Sequence, residues 1–259
     1  MPLQSWAVSR AIAESVAGLS ASWDDGPPLP VRVLPDGGAD LLFSWPIAGG
    51  PVVAEVFGPK SAAVVVADAE PMEKIAVRLR PGRAARWFGV PARFLADHSV
   101  PLGDLWGREA WELGQRLAEA REPAARRALV ERTLLERSRR VAEPVALVAA
   151  AVERIAGTGG RCSMQSLASA LGVGTRHLER VFDEHVGLRP KLFARIVRLG
   201  RARSALARGA SQIEAALGAG YADQAHLHRD CRALAGAPPS AFRPWSPIAS
   251  RSGAGFVQD

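Results

Sequence analysis

Two rhythms of apolar spacing divide the chain. Up to about residue 120, short apolar or alternating runs sit between turn-forming clusters, the spacing of β-strands. Predicted strands run from Leu29 to Leu34, Asp40 to Trp45, Pro51 to Phe57, Ala62 to Ala67 and Lys74 to Leu79. Pro35-Asp36-Gly37-Gly38 and Gly58-Pro59 are turn signals between them. Arg83 to Phe88 predicts a short helix and Leu105 to Ala120 a longer one. Pro123 suits the first turn of a charged helix reaching about Val141. Its Leu129, Val130, Thr133 and Leu134 form one narrow stripe, as in a linker or packing helix. Pro144 starts another helix that runs to about Ala156, where Gly157-Thr158-Gly159-Gly160 ends it.

From Ser163 onward the rhythm is helical and it repeats. Ser163 is a good N-cap for Met164 to Leu171, Gly172-Val173-Gly174 is a tight turn, and a helix follows from Thr175 to about His185, closed by Gly187. A basic helix of about 19 residues, roughly 28 Å long, runs from Pro190 to Arg208. Ser211 then caps Gln212 to Leu217, a turn passes through Gly218, Gly220 and Tyr221, and a helix covers Asp223 to Leu234 before Gly236. At an offset of 49, His177 matches His226, Leu178 matches Leu227 and Arg180 matches Arg229. Gly187, Pro190 and Phe193 likewise match Gly236, Pro239 and Phe242. Packing leucines, closing glycines and following prolines in one register mark an internal duplication of a helix-turn-helix unit.

Charge sharpens this picture. The chain carries +7, and residues 161–243 hold 13 basic against 6 acidic residues, the entire surplus. The remainder is neutral, so a polyanionic partner is expected for that segment alone. The second helix of each unit is two-faced. Leu178, Val181 and Phe182 form an apolar side in the first, and Leu227, Cys231 and Leu234 in the second. Opposite them lie Arg176, Glu179, Arg180 and Asp183, and Gln224, Ala225, His228 and Arg229. A helix that enters a major groove needs one face packed on its domain and another bearing long hydrogen-bonding side chains. Among the cations of the linking helix, Lys191 is a candidate phosphate contact.

These motifs resemble the AraC/XylS family of bacterial transcription regulators. The likeness rests on Gly220 through Arg232, on Gly236-Ala237-Pro238-Pro239-Ser240-Ala241-Phe242-Arg243, and on Leu167-Ala168, Gly172, Arg176-His177-Leu178, Arg180, Phe182, Gly187 and Pro190. Cys231 stands where the family usually has Phe, which implies a smaller plug in that core. By resemblance, the base-reading positions are Thr175, Arg176, Glu179, Arg180, Asp223, Gln224, Ala225, His228 and Arg229. The N-terminal part resembles the cupin-like sensor domains found ahead of such DNA-binding domains. That likeness lies in Leu34-Pro35-Asp36-Gly37, Arg78-Leu79-Arg80-Pro81-Gly82, Phe88-Gly89-Val90-Pro91 and residues 101–107.

The expected fold is α+β. A mostly-β cupin-like sensor domain (1–120) and a linker helix (121–143) precede an all-α double helix-turn-helix domain (144–245) and a flexible tail (246–259). The expected function is sequence-specific binding of double-stranded DNA, two recognition helices in adjacent major grooves, under control of a small-molecule or protein effector. The alternative is a non-catalytic DNA-organising protein. No cofactor, metal or catalytic residue is expected. His98 is the lone N-terminal histidine, no cysteine precedes Cys162, and there is no phosphate-loop or nucleophile-elbow motif. Cys162 and Cys231 suit reduced thiols. Arg10 and Glu14 interrupt the first apolar stretch, and no run nears the ~18 residues of a membrane span. A cytoplasmic protein is therefore expected, with no membrane partner. A homodimer contact through the barrel or the linker helix is a further expectation. Six tryptophans precede residue 120 and are expected mainly in the core, with pocket lining as the other use.

Overall fold

A computed structural model describes residues 3–23, 30–141 and 145–242. Leu29, Pro144, Arg243 and the expected tail at 246–259 lie outside the described residues. The strands are β1 (Leu3–Trp6), β2 (Val16–Trp23), β3 (Val31–Val33), β4 (Ala39–Pro46), β5 (Val53–Phe57), β6 (Val64–Val66), β7 (Met72–Leu79) and β8 (Ser99–Pro101). All but β3 and β6 form one antiparallel sheet in the order β1-β2-β7-β4-β5-β8, and β3 pairs with β6 in a small second sheet. The expected strands are present, with ends that differ by one or two residues: β3, β5 and β6 are shorter than expected, β4 and β7 longer. β1, β2 and β8 were not expected. β2 is rich in Ala, Gly and Ser, which carry little strand propensity, and pairing with β1 and β7 holds it extended.

Side chains alternate across the large sheet, and each face has its own use. Leu41, Phe43, Trp45, Val56, Ile75, Val77 and Leu79 point to one face and are buried. Helices α1 (Ala84–Phe88), α2 (Leu102–Trp106), α3 (Arg108–Glu119) and α4 (Pro123–Ser138) cover that face and share its core. The expected single helix from Leu105 is broken at Gly107, whose φ of 57° and ψ of −128° cannot continue a helix. Val130, Thr133 and Leu134 of α4 are buried, so its stripe packs into the N-terminal core. Arg126 and Arg137 add charge-assisted contacts, to Glu73 at 2.7 Å and Glu109 at 2.8 Å, and each lies over a tryptophan ring, Trp45 and Trp106.

The tryptophans divide between roles. Trp45, Trp87 and Trp106 are buried in the core, Trp6 borders a cavity, and Trp23 and Trp111 are exposed. Trp106 Nε1 donates to the Trp87 carbonyl at 3.0 Å.

The C-terminal part is helical: α5 (Ala146–Gly157), α6 (Met164–Ala170), α7 (Thr175–Val186), α8 (Pro190–Ala207), α9 (Gln212–Ala219) and α10 (Gln224–Asp230). Ser163 caps α6 by accepting from the Ser166 amide at 3.0 Å. Ser211 and Glu214 form a reciprocal capping box at α9. Such caps satisfy orphan amides, and each contributes about 1 kcal/mol. The α6–α7 and α9–α10 pairs are two helix-turn-helix units joined by α8, as expected. The second copy departs in one detail. Its reading helix was expected to run to Leu234, but after Asp230 the backbone widens into a π-turn over Cys231–Ala235. No helix among the described residues is long and apolar enough to cross a membrane.

If α4 is a core element, Leu134→Ala will remove a fully buried side chain from between it and the sheet. Chemical denaturation should then show a loss of about 2–5 kcal/mol. A loss below about 0.5 kcal/mol would make α4 a mere connector.

Candidate nucleic-acid interface and the adjoining cavity

The second helix of each unit buries one side and leaves the other bare. In α7, Leu178, Val181, Phe182 and Val186 are buried, with the Phe182 ring 5.6 Å from that of Phe193 on α8. Thr175, Arg176, Glu179 and Arg180 are all exposed and lie together on the open side. Arg180 is also 3.6 Å from Glu184, a loose surface pair that another anion can replace at little cost.

In α10 the exposed set is Asp223, Gln224, Ala225 and Arg229, with His228 half-buried beside them. Two of these already have local work. Asp223 is the N-cap, accepting from the His226 amide at 2.6 Å, and Gln224 donates to Gln212 at 2.6 Å. Asp230, the partner of Val181 in the repeat, is buried and accepts from Arg195 at 2.8 Å, tying α10 to α8. Burial pushes the Cys231 thiol up to about 12, with the neighbouring Asp230 charge adding to the effect, so it behaves as a core residue.

A cleft of about 890 Å³ lies between the two units along α8. Lys191, Arg195, Arg198 and Arg229 line it together with Arg161, which precedes α6. Asp230 is the one acidic side chain on its wall, and Arg195 already occupies it. Lys191 of the joining helix and Arg229 of the second unit thus line one cleft. Arg161 was not a candidate; its position in the basic segment was visible, but its approach to α8 depends on the fold.

The far end of each reading helix is held by the N-terminal domain. A helix C-terminus leaves carbonyls without intrahelical partners. At the end of the π-turn, Leu234 O accepts from the Ala63 amide at 2.7 Å and Ala235 O accepts from Arg32 Nη1 at 3.0 Å. α7 ends at Gly187, in the left-handed conformation with φ of 79°, and a Cβ there would lie 2.7 Å from the Ala92 carbonyl oxygen. Leu34 is buried in the core of the helical domain. Gly37, with φ of 80°, lies against the Phe193 ring so closely that a Cβ would sit 2.3 Å from it. None of these contacts follows from a motif.

The same segments that grip the helical domain wall a cavity of about 540 Å³ inside the N-terminal domain. Its floor is the second face of the large sheet, where Asp40, Leu42, Ser44, Glu55, Lys74 and Arg78 alternate with the core residues. Val33, Leu34, Val64 and Val66, on and beside β3 and β6, form the opposite wall. Arg78 bridges two carboxylates, reaching Asp36 and pairing with both oxygens of Asp40, one at 2.8 Å. Burial pushes the Asp40 carboxyl up to about 7, with Lys60 drawing it down, and lowers the Arg78 guanidinium to about 10. Lys74 is buried and pairs with Asp68. His98 is exposed and faces neither the cleft nor the cavity walls. Among the described residues, no cluster of three or more His, Cys, Asp or Glu side chains could hold a metal ion.

Residues 167–244 match the family described as "Helix-turn-helix domain", and residues 12–101 match "Domain of unknown function (DUF6597)". Residues 167–244 are thus an AraC-type helix-turn-helix domain. This domain supports DNA-binding transcription regulation, and it holds 12 basic against 6 acidic residues, nearly all of the basic surplus. No curated protein matches the chain. Similar solved structures include the C-terminal domain of AraT, a response regulator from Geobacillus stearothermophilus, at 20% identity and a TM-score of 0.37, covering 41% of this chain and 91% of that one. ToxT from Vibrio cholerae is similar at 8% identity and a TM-score of 0.43, covering 85% of this chain and 97% of that one.

Two kinds of cation are expected in this domain. Arg176→Ala, on the exposed side of α7, is expected to cost about 1–3 kcal/mol and relax preference at one base pair. Lys191→Ala, on the cleft wall, is expected to weaken all sequences alike and lower the salt slope by about 1. Binding titrations over a randomised site check both. Equal loss of specificity in the two variants would contradict the division.

Proposed function

We propose that both units read DNA at once, with α7 and α10 in adjacent major grooves and the basic cleft over the phosphates between them. The observation that carries this is the exposed polar face on each reading helix, with five cations gathered between the units. α8 has 18 residues, about 27 Å of helix, which suits a spacing of one DNA turn, ~34 Å. Base contacts fall to Thr175, Arg176, Glu179 and Arg180 of the first unit, and to Gln224, Ala225, His228 and Arg229 of the second. Asp223 serves by holding the start of α10, and Lys191 meets phosphate.

The N-terminal domain, in this reading, is a non-catalytic sensor. An effector occupying the cavity changes operator affinity only if it binds the DNA-competent and incompetent arrangements differently. The wall formed by residues 31–38 and 63–66 supports such a difference, because it lines the cavity and also holds the second reading helix. The domain division of 1–120, 121–143 and 144–245 belongs to the same reading, with α4 packed on the sensor side. A homodimer contact, through the sensor domain or α4, would pair two such readers on one operator.

Hydroxyl-radical footprinting on an operator recovered by genomic DNA capture tests the docking. Two protected stretches of backbone about one turn apart on one side of the duplex are expected, each with guanine N7 protected from dimethyl sulfate in the major groove. A single patch would overturn the two-groove reading. Arg32→Ala, far from the reading faces, tests the control. It is expected to change operator affinity or promoter output several-fold, whereas wild-type values would contradict control through this wall.

A further inference from the structure

The geometry points to a small organic cation with an apolar body as the ligand of the N-terminal cavity, its positive group seated on Glu55. This rests on the sensor reading above and names the chemistry of that site.

The cavity's charges nearly balance within the protein. Asp36 and Asp40 share Arg78, Lys74 pairs with Asp68, and Lys60 sits in the fields of Asp97 and Asp40 and donates to the His98 carbonyl at 3.2 Å. Three cations thus answer the cavity's three aspartates. Glu55 is the carboxylate left over: it lines the cavity, is half-buried, and has no ion-pair partner among the described residues. A carboxylate drawn out of water without a counter-charge is costly, and a bound cation removes that cost.

Strand register places Glu55 at one end of the cavity-facing row, with Pro101 of β8 beyond it. Leu42 is its neighbour on β4, followed by Ala76 on β7, Ser20 on β2 and Ser5 on β1. Strands are spaced about 4.8 Å apart, so an ammonium at Glu55 leaves an apolar stretch over Leu42 and Ala76 and hydroxyl partners beyond it. Phe57 on the same strand, and Val64 and Val66 opposite, complete an apolar surround. The volume of about 540 Å³ falls in the range for small-ligand sites. An anionic ligand would meet an unpaired carboxylate, and two of the three cavity cations, Arg78 and Lys74, are already ion-paired.

The test uses the full chain and three probes that differ at one end: tyramine, 2-(4-hydroxyphenyl)ethanol and 3-(4-hydroxyphenyl)propionate. Agmatine and hexylamine extend the cationic set. Calorimetry and thermal shift are expected to show at least one amine binding at least tenfold more tightly than the neutral and anionic probes. Glu55→Gln, which keeps the shape, is expected to abolish that preference with an unchanged circular dichroism spectrum. Leu42→Glu, which adds a second carboxylate beside the first, provides an independent check by strengthening amine binding. No amine preference, or a preference that survives Glu55→Gln, overturns the assignment. Operator affinity measured alongside separates the two readings. Amine binding that depends on Glu55 but leaves operator affinity unchanged upholds the ligand class and removes its role as effector. Absence of amine binding, with operator affinity still altered by Arg32→Ala, removes the ligand class and leaves control through the wall.

Discussion

The architecture depends on the close approach of one polypeptide segment to a helical domain that would otherwise end in unsatisfied carbonyls. Residues 31–38 and Ala63 fill that place. Arg32 and the Ala63 amide take the last carbonyls of the second reading helix, Leu34 enters the helical core, and Gly37 lies flat on Phe193. A side chain at Gly37 would collide with that ring, so backbone contact without a Cβ is the condition for docking the domains this way. On its other side the segment carries Asp36 into the cavity, where Arg78 receives it. One strip of chain therefore belongs to two environments. Movement of its backbone must be felt in both, because cores are close-packed and transmit strain.

Duplication supplies the reading units, but the copies are not equivalent. In the first, Phe182 fills the core and the helix stays α-helical to Val186. In the second, the smaller Cys231 stands at that position, a buried Asp230 ties the helix to Arg195, and a π-turn follows. The π-turn ends in the two carbonyls that the N-terminal domain takes. Wide turns of this kind often occur at functional sites. Here the one copy that has the turn is also the one held by the cavity wall through backbone hydrogen bonds. The first copy meets the N-terminal domain by packing instead, Gly187 against Ala92.

Much of the helical half was legible because its signals are local. Ser163 and Ser211 cap, Gly187 and Gly236 close, and the offset of 49 aligns the copies without knowledge of their packing. The exposed set on α7 was legible for the same reason, since helical spacing alone sorts Arg176 and Arg180 from Leu178 and Phe182. The N-terminal half was less so. β2 has few strand-forming residues and is defined by its neighbours. The break at Gly107 turns on one backbone angle, and the core lies on the helix-covered face of the sheet, not within the cavity. The alternation of Asp40, Leu42 and Ser44 with Leu41, Phe43 and Trp45 was present in the sequence. Reading it as a cavity floor required β5 and β7 to bring Glu55, Lys74 and Arg78 alongside.

Amide hydrogen exchange of the full chain, with and without operator DNA, measures the central coupling most directly, because linkage between two sites runs both ways. DNA meeting α7 and α10 should alter protection in residues 31–38 and 63–66, which lie against α8 and the π-turn that follows α10, as well as in that π-turn at Cys231–Ala235. Unchanged exchange throughout 31–38 and 63–66, with clear protection of α7 and α10, would mean that the reading helices and the cavity wall are energetically independent.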